Sequence, residues 1–265
     1  MSDVTSAPTR VYHIYYTPET KEVSLMFWQC NIDCLGCYCK RRIYSPMLKD
    51  FLGVNILDDP GIAKPPGRFL AFDEIFGYLD KIPVQRALLE GQEASLDPEY
   101  ARITETLHRK YGSQNVLLSN LCELPDLRHT DKVVLGLKAV TDSIHIEYTG
   151  VSNNRILENF IRLHESGMNL LVESVVIPGY IDIAETEKIA AFIAEIDKKI
   201  PYVLLPYFQA GGNPWRRPTP VEMESAANAA KKYLPNVYFF RGDEEMKYEV
   251  VSIFPPGLGS IPPVK

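Results

Sequence analysis

Short apolar runs alternate with amphipathic segments along most of the chain. The runs are rich in β-branched and aromatic residues and too short for helices, so they predict buried strands at 21–30, 85–90, 115–120, 132–140, 169–179, 202–208 and 236–240. Apolar residues spaced three or four apart, together with capping signals, predict helices at 73–82, 98–111, 153–167, 189–200 and 220–234. Strands alternating with helices predict an α/β fold whose parallel sheet is closed or partly closed as a barrel.

Local signals sharpen two of the helix boundaries. Asp97 followed by Pro98 is typical of a capped helix start. Thr219 and Glu222 have the spacing of a capping box, which predicts a helix start there. The Pro- and Gly-rich segment 57–68 predicts a loop.

Composition indicates one globular domain. The 265 residues are 46% hydrophobic and 23% charged, which excludes a disordered or collagen-like chain. A net charge of -6 makes nucleic acid a poor partner. No apolar run approaches the roughly 18 residues of a membrane span, and the first residues lack a secretion-signal pattern, so we predict a cytoplasmic protein without membrane partners. We expect a single domain over 1–265, with a strand extension at about 1–22 and a Pro/Gly-rich tail at about 242–265 laid against the barrel.

Four of the five cysteines crowd into ten residues, at the end of the first predicted strand of the barrel: Cys30, Cys34, Cys37 and Cys39. Such crowding favours metal or cluster binding in a reducing compartment over disulfides. In parallel barrels the chemistry lies at the C-terminal ends of the strands, where this loop begins. Cys122 is far away in sequence and is most simply a small buried apolar residue.

The spacing Cys30-x3-Cys34-x2-Cys37 offers three thiolates to one cubane [4Fe–4S] cluster and leaves the fourth iron without a local thiolate. The alternatives are a zinc site completed by Cys39, or cysteines that only pack. Zinc is disfavoured because its motifs usually bring two pairs of ligands from separate segments. Cys39 could be an alternative ligand, a thiol facing the substrate or a bystander, and we favour the bystander.

This spacing resembles the signature of the radical S-adenosylmethionine (SAM) superfamily. The resemblance implies a partial (β/α)6 TIM-like barrel, a [4Fe–4S] cluster and SAM bound through the open iron. It also implies reductive cleavage of SAM to methionine and a 5'-deoxyadenosyl radical that removes a hydrogen atom from a substrate. Reduced flavodoxin or ferredoxin would supply the electron, and a protein is a possible substrate.

Within the superfamily, the chain looks most like the pyruvate formate-lyase activating enzymes. A series of motifs carries this resemblance, in the same order as in that family: Leu137-Lys138, His145-x3-Thr149-Gly150-x2-Asn153, Ile156-Leu157-Glu158-Asn159, Val176-Ile177-Pro178-Gly179 and Leu205-Pro206-Tyr207 with Gly211. As a set these motifs are specific, whereas each one alone is weak. With no further cysteines for a second cluster domain, the chain resembles the short, single-cluster members.

The resemblance also assigns cofactor-binding residues. The segment Gly91-Gln92-Glu93 stands where the family carries its GGE motif, which recognises the methionine amino group. Residues expected beside the cofactor elsewhere are Tyr38, Ser119, Asn120, Lys138, Ile177 and Pro178, and Lys138 would suit the cofactor carboxylate. The alternative for Glu93 and Lys138 is a solvated charge at a strand end.

Four departures from the family pattern bear on the function. Gly136 replaces an aspartate, Glu173 stands where relatives often carry arginine, Phe208 replaces a histidine, and Gly36 replaces an aromatic residue. Either the cofactor contacts are rearranged, or the alignment slips at Glu173. We therefore consider three functions: an activase-like enzyme acting on a protein, the same radical chemistry on a small molecule or a non-glycyl residue, and a non-catalytic zinc or iron–sulfur protein.

Overall fold

The computed structural model describes residues 8–48 and 61–258, and within them nine strands form one sheet. The strands in chain order are β1 (Val11–Thr17), β2 (Glu22–Phe27), β3 (Arg86–Gly91), β4 (Gln114–Ser119), β5 (Lys132–Gly136), β6 (Leu170–Val176), β7 (Tyr202–Pro206), β8 (Val237–Phe239) and β9 (Val251–Phe254). In the sheet they follow the order β8-β7-β6-β5-β4-β3-β2-β1-β9. Strands β2 to β8 are parallel, and β1 is antiparallel to both of its neighbours.

Helices occupy most connections between the parallel strands. They are α1 (Phe72–Leu79), α2 (Tyr100–Tyr111), α3 (Asp142–Thr149), α4 (Asn154–Glu165), α5 (Ile183–Ile196) and α6 (Pro220–Ala230). The connection from β4 to β5, residues 120–131, contains no helix. The edge strands β8 and β9 do not pair with each other, so the sheet stays open and the predicted partial barrel is confirmed.

The two faces of the sheet differ in burial. On the outer face, strand residues pack against the helices and are fully buried, as are Leu25, Leu89, Leu117, Leu135, Val172 and Leu204. Alternating positions on the same strands point to the concave side, and several of them stay partly exposed: Leu88, Glu90, Leu118, Leu171, Glu173, Val175 and Leu205. On this concave side, called the barrel interior below, several side chains therefore keep partly exposed surface in the described part of the chain.

The predicted strands all occur, with shifted ends. Strand β5 stops at Gly136 instead of residue 140, because the Asn153 amide takes the carbonyls of Ala139 and Val140 at 3.0 and 2.8 Å. Strand β6 ends at Val176, since the next residues turn back in a short bridge. Within the predicted loop 57–68, the described residues 61–68 form neither helix nor strand; residues 57–60 lie outside the described part.

The capping predictions had different outcomes. Helix α2 begins two residues later than Asp97-Pro98 predicts, because the Asp97 carboxylate accepts from the Glu99 N–H at 2.8 Å and from the Arg10 N–H at 2.5 Å. Asp97 thus closes a turn before the helix instead of capping it. The capping box of α6 is confirmed, as Thr219 and Glu222 exchange hydrogen bonds.

Helix α3 was not predicted from the sequence. Its buried residues are His145, Tyr148 and Thr149, so it carries no apolar stripe that a periodicity argument would find. Near the N-terminus β1 pairs with β2, and β9, within the segment expected to be an extended tail, pairs with the other edge of β1. Residues 1–7 and 259–265 lie outside the described part. No helix in the described ranges combines the length and apolar character needed to cross a membrane.

Candidate functional site

The cysteine loop, residues 28–40, follows β2 at the C-terminal edge of the parallel strands. Main-chain hydrogen bonds tie it to the end of α3: the Asp33 N–H donates to the Thr149 carbonyl at 2.8 Å, and the Leu35 N–H donates to the Tyr148 carbonyl at 2.9 Å. The unpredicted helix therefore holds the loop that carries the thiols.

The three thiols of the motif lie within electrostatic range of one another. Burial raises the pKa of Cys34 to about 12, Lys138 opposes this rise, and the charges of Cys37 and Cys30 add to it. Burial also raises the pKa of Cys30. Three thiolates gathered here need a positive partner, and an iron–sulfur cluster fits because its irons bind thiolates directly. Among the described residues, no three His, Cys, Asp or Glu side chains are placed to hold a single metal ion.

Asn120 connects the end of β4 to the first thiol. Its side-chain amide donates to Cys30 Sγ at 3.6 Å and to the Asn31 side-chain oxygen at 2.8 Å, and its oxygen accepts from the Cys122 N–H. Hydrogen bonds to cluster sulfurs are one means by which proteins tune such centres. The structure thus brings Asn120 and Cys30 together, as the sequence assignment of both to one site requires.

Glu93 is buried between strand ends, and only 1% of its surface is exposed. Its carboxylate accepts from the Ser95 N–H at 3.2 Å and from the Asn120 N–H at 2.8 Å. It is therefore not the solvated charge that was the alternative for this residue. Its oxygens are engaged inside the protein, and its direct effect is to position Asn120.

We expect Glu93→Gln to remove part of the pH dependence of folding. Burial raises the pKa of Glu93, so the folded state binds more protons than the unfolded state above the ordinary glutamate pKa of about 4.5. The contribution of Glu93 to the free energy of unfolding therefore falls as the pH rises through its folded-state pKa. Glutamine does not titrate, so it removes this pH dependence of the free energy of unfolding, which is at most about 1.4 kcal/mol per pH unit. It also accepts one hydrogen bond fewer, which lowers the free energy of unfolding by about 1–3 kcal/mol at every pH.

The measurement is urea unfolding of the cluster-free protein between pH 5 and 8. Glu105→Gln is the control, because Glu105 makes an exposed ion pair with Arg109. A difference between wild type and Glu93→Gln that stays constant over this pH range would contradict the expectation.

Gly91 allows a close approach between the ends of β3 and β2. Its φ is +112°, and a Cβ at this position would lie 2.7 Å from the Phe27 nitrogen and 2.8 Å from the Phe27 oxygen. Next to it, the Gln92 side-chain oxygen accepts from the Gln29 N–H at 3.0 Å. The predicted Gly91-Gln92 segment therefore touches the backbone that leads into the cysteine loop.

Lys138, Gly136 and Glu173 lie close together at the ends of β5 and β6. Gly136 and Glu173 are register partners on the two strands, and Lys138 Nζ lies 3.2 Å from where a Cβ on residue 136 would be. The lysine thus uses space that the absent side chain leaves open. Lys138 is half-buried, and its charge opposes the rise that burial causes in the pKa of Cys34.

The missing aromatic residue at position 36 is replaced from elsewhere in the chain. A Cβ on Gly36 would lie 2.7 Å from the Tyr148 hydroxyl and 2.8 Å from the Tyr207 ring. Tyr207 is anchored by hydrogen bonding between its hydroxyl and the Ala210 main chain. Two tyrosines from α3 and the end of β7 therefore fill the space beside the third cysteine.

The other predicted residues lie around this group. Ile177 is fully buried against Cys34 and Tyr148. Pro178 follows it and lines a smaller cavity of about 400 Å³ at the start of α5. The Tyr38 ring stands edge-on to Phe208 at 6.4 Å between centroids. Ser119 accepts a hydrogen bond from the Leu121 N–H and helps to shape the β4 end.

Several residues of the recognised motifs act as structural ties. The His145 ring hydrogen-bonds to the Val151 carbonyl at 2.8 Å, and the Asn159 amide donates to the Leu121 carbonyl at 2.8 Å. Sequence analysis missed Glu185, which is buried and accepts from the Thr141 N–H at the start of α3. A buried acid at a helix start gives no sequence signal beyond its position.

An open cleft of about 960 Å³ lies beside the cysteine loop and has Cys30 in its wall. Trp28, Lys40, Gln92 and Tyr100 also line it. The site is therefore reachable from solvent on the side of the first thiol.

Comparison with known proteins agrees with this geometry. A family model described as the radical SAM superfamily matches residues 27–193. A protein of Methanocaldococcus jannaschii, provisionally named a glycyl-radical enzyme activating enzyme, is 26% identical over 229 residues, covering 82% of this chain and 79% of that protein. A pyruvate formate-lyase-activating enzyme of Staphylococcus aureus is 31% identical over 90 residues, 34% of this chain and 36% of that protein.

A solved structure shows the same fold. Streptococcus suis SuiB bound to the precursor peptide SuiA superimposes with a TM-score of 0.57 at 12% identity, covering 80% of this chain and 46% of that chain. At this identity the likeness concerns the fold alone.

Proposed function

The chain belongs to the radical SAM superfamily, whose members use a [4Fe–4S] cluster and SAM, and we propose that Cys30, Cys34 and Cys37 hold that cluster. The observation that carries the proposal is the cysteine loop itself, which gathers three thiols at the C-terminal edge of a parallel sheet beside the Asn120 amide. When bound, the cluster and SAM supply the electron transfer that yields methionine and a 5'-deoxyadenosyl radical.

The protein's own residues bind and orient the cofactors in this proposal. The Gly91-Gln92 backbone borders the methionine amino group, and its freedom from a Cβ permits a close approach. Lys138 pairs with the methionine carboxylate, because its ammonium makes no hydrogen bond within the described residues. Asn120 orients Cys30, and Glu93 acts through Asn120 as a positioning residue.

Tyr148, Tyr207 and Ile177 form an apolar wall beside Cys34. We propose that this wall keeps water from the reacting atoms, and that Ile177 and Pro178 border the adenine. A closed site matters because it limits side reactions of a reactive intermediate.

We propose an activase-like oxidoreductase that removes a hydrogen atom from a substrate, with reduced flavodoxin or ferredoxin as electron donor. The similarity to named activating enzymes supports a protein substrate. The same radical chemistry on a small molecule or a non-glycyl residue is the second candidate. Glu173 favours it, because a carboxylate in the barrel interior stands where relatives often carry arginine.

The test is release of 5'-deoxyadenosine from SAM by anaerobically reconstituted, dithionite-reduced protein. We expect release in one equivalent or more per cluster, together with methionine. A protein with a full cluster that binds SAM but releases no 5'-deoxyadenosine, with or without an added glycyl radical enzyme, would contradict the proposal.

A further inference from the structure

One carboxylate of the barrel interior has no hydrogen-bond or ion-pair partner among the described residues. Glu173 lies on the concave face of β6, and its carboxylate makes no hydrogen bond or ion pair in the described part of the chain. Its side chain keeps some exposed surface, so the oxygens can be reached through the open interior. An interior carboxylate is unfavourable without a cation or hydrogen-bond donors.

A second carboxylate faces the same space. Glu90 lies on the concave face of β3, and Tyr15 donates a hydrogen bond to one of its oxygens. Burial raises the pKa of Glu173, and the charge of Glu90 raises it further. The pair thus places two carboxyl groups on a concave face whose partly exposed strand residues include the aliphatic Leu88, Leu118, Leu171, Val175 and Leu205.

A third polar group, close to Glu90, lacks a hydrogen-bond partner within the described part of the chain. The Tyr12 side chain is only 1% exposed, and its buried hydroxyl has no hydrogen-bond partner among the described residues. The charges that act on this hydroxyl include those of Cys39, Glu90 and Cys37. The hydroxyl therefore lies near both the cysteine loop and the Glu90 carboxyl.

The cations nearby do not neutralise this acidic group. Lys138 and Lys132 act on Glu173 from a distance, but neither forms an ion pair with it within 4 Å. In the proposed function Lys138 forms an ion pair with the methionine carboxylate of SAM. At the far end of the strands, Arg86 is already paired with Glu22. Among the described residues, the two carboxyl groups thus have no ion-pair partner once SAM is bound in the proposed function.

We infer that the barrel interior is a subsite for the cationic group of the substrate, an ammonium or guanidinium on an aliphatic stem, bound between Glu173 and Glu90 with the Tyr12 hydroxyl accepting a further hydrogen bond. This inference rests on the proposed function, because it names the substrate class of that site. The aliphatic lining takes the stem, and the carboxylates take the charge.

The test compares two probes of equal stem length on the cluster-reconstituted protein with SAM present. Nα-acetyl-lysine amide carries the ammonium, and Nα-acetyl-norleucine amide ends in a methyl group. Equilibrium dialysis should show at least tenfold tighter binding of the lysine probe to wild type. Glu173→Gln should reduce this preference to about twofold or less, whereas Glu173→Asp, which keeps the charge, should retain most of it.

Glu22→Gln is the matched control, because it removes a carboxylate of the same sheet that already has the Arg86 partner. It should leave the lysine preference unchanged. Circular dichroism checks the fold of each variant. Free lysine as a third probe separates a small amino acid from a protein side chain as the source of the cation, and tight binding of either source supports the subsite.

Failure of this inference is separable from failure of the proposed function. Wild type that releases 5'-deoxyadenosine but binds both probes equally overturns the subsite and leaves the function standing. Wild type that prefers the lysine probe but never releases 5'-deoxyadenosine supports the subsite and overturns the function. If Glu173→Gln and Glu22→Gln reduce the preference for the lysine probe equally, the subsite is also overturned. The preference would then reflect the overall charge of the protein and not a specific site.

Discussion

Replacing any one of Cys30, Cys34 or Cys37 by alanine is expected to abolish 5'-deoxyadenosine release, to less than about one-hundredth of wild type. In the proposed ligand set three irons of the cubane each need one of these thiolates, and alanine offers no donor atom in its place. The measurement is anaerobic product analysis together with iron and sulfide content and the visible absorption of the cluster.

Cys39→Ala is the matched control within the same loop. Cys39 lies near the other thiols, and burial raises its pKa well above the ordinary thiol value. We expect this variant to keep much of the release, since the residue is a bystander in the proposed ligand set. Retained activity in the three motif variants, or loss in Cys39→Ala alone, would reassign the ligands.

Gly91→Ala is expected to destabilise the protein by about 2–5 kcal/mol and to weaken SAM binding at least tenfold. The added Cβ would lie 2.7 Å from the Phe27 nitrogen, and the backbone φ of +112° is outside the range that alanine adopts readily. Strain of about 1–3 kcal/mol for the backbone adds to overpacking of similar size. The ends of β3 and β2 must then separate, which shifts the cysteine loop.

Gly112→Ala provides the control for backbone strain alone. Its φ is +62°, but nothing lies within 4 Å of the added Cβ, so we expect a loss of only about 1–2 kcal/mol. Urea unfolding of both variants and SAM binding by equilibrium dialysis make the comparison. Equal stability losses in the two variants would show that the contact with Phe27 is unimportant.

The sequence predicted the strands better than the helices. Buried parallel strands are short apolar runs in the sequence, and this composition is the same whichever elements pack against them. Helix α3 was not predicted because its buried residues, His145, Tyr148 and Thr149, form hydrogen bonds and no apolar stripe. Helix α2 began late because Asp97 bonds to Arg10, a residue 87 positions away, and no local pattern reveals such a partner.

Residues of the candidate site were found by spacing where the ligands are adjacent in sequence. The three cysteines belong to one loop, so their spacing alone indicates a shared cluster. The environment of Glu93 could be seen only in the fold, because the Asn120 N–H that binds its carboxylate lies just after the next strand, 27 residues later. A charge at a strand end looks alike in the sequence whether it is solvated or buried.

The sequence by itself determined the alternation of strands and helices and the three-thiol motif, because both depend on residues close together in the chain. Only the tertiary structure decided how the residues that differ from the family pattern are accommodated. Tyr148 and Tyr207 fill the space beside Gly36, and Glu173 faces Glu90 across the barrel interior. These relations depend on strand register and on the curvature of the sheet, which join distant segments and leave no trace in local spacing.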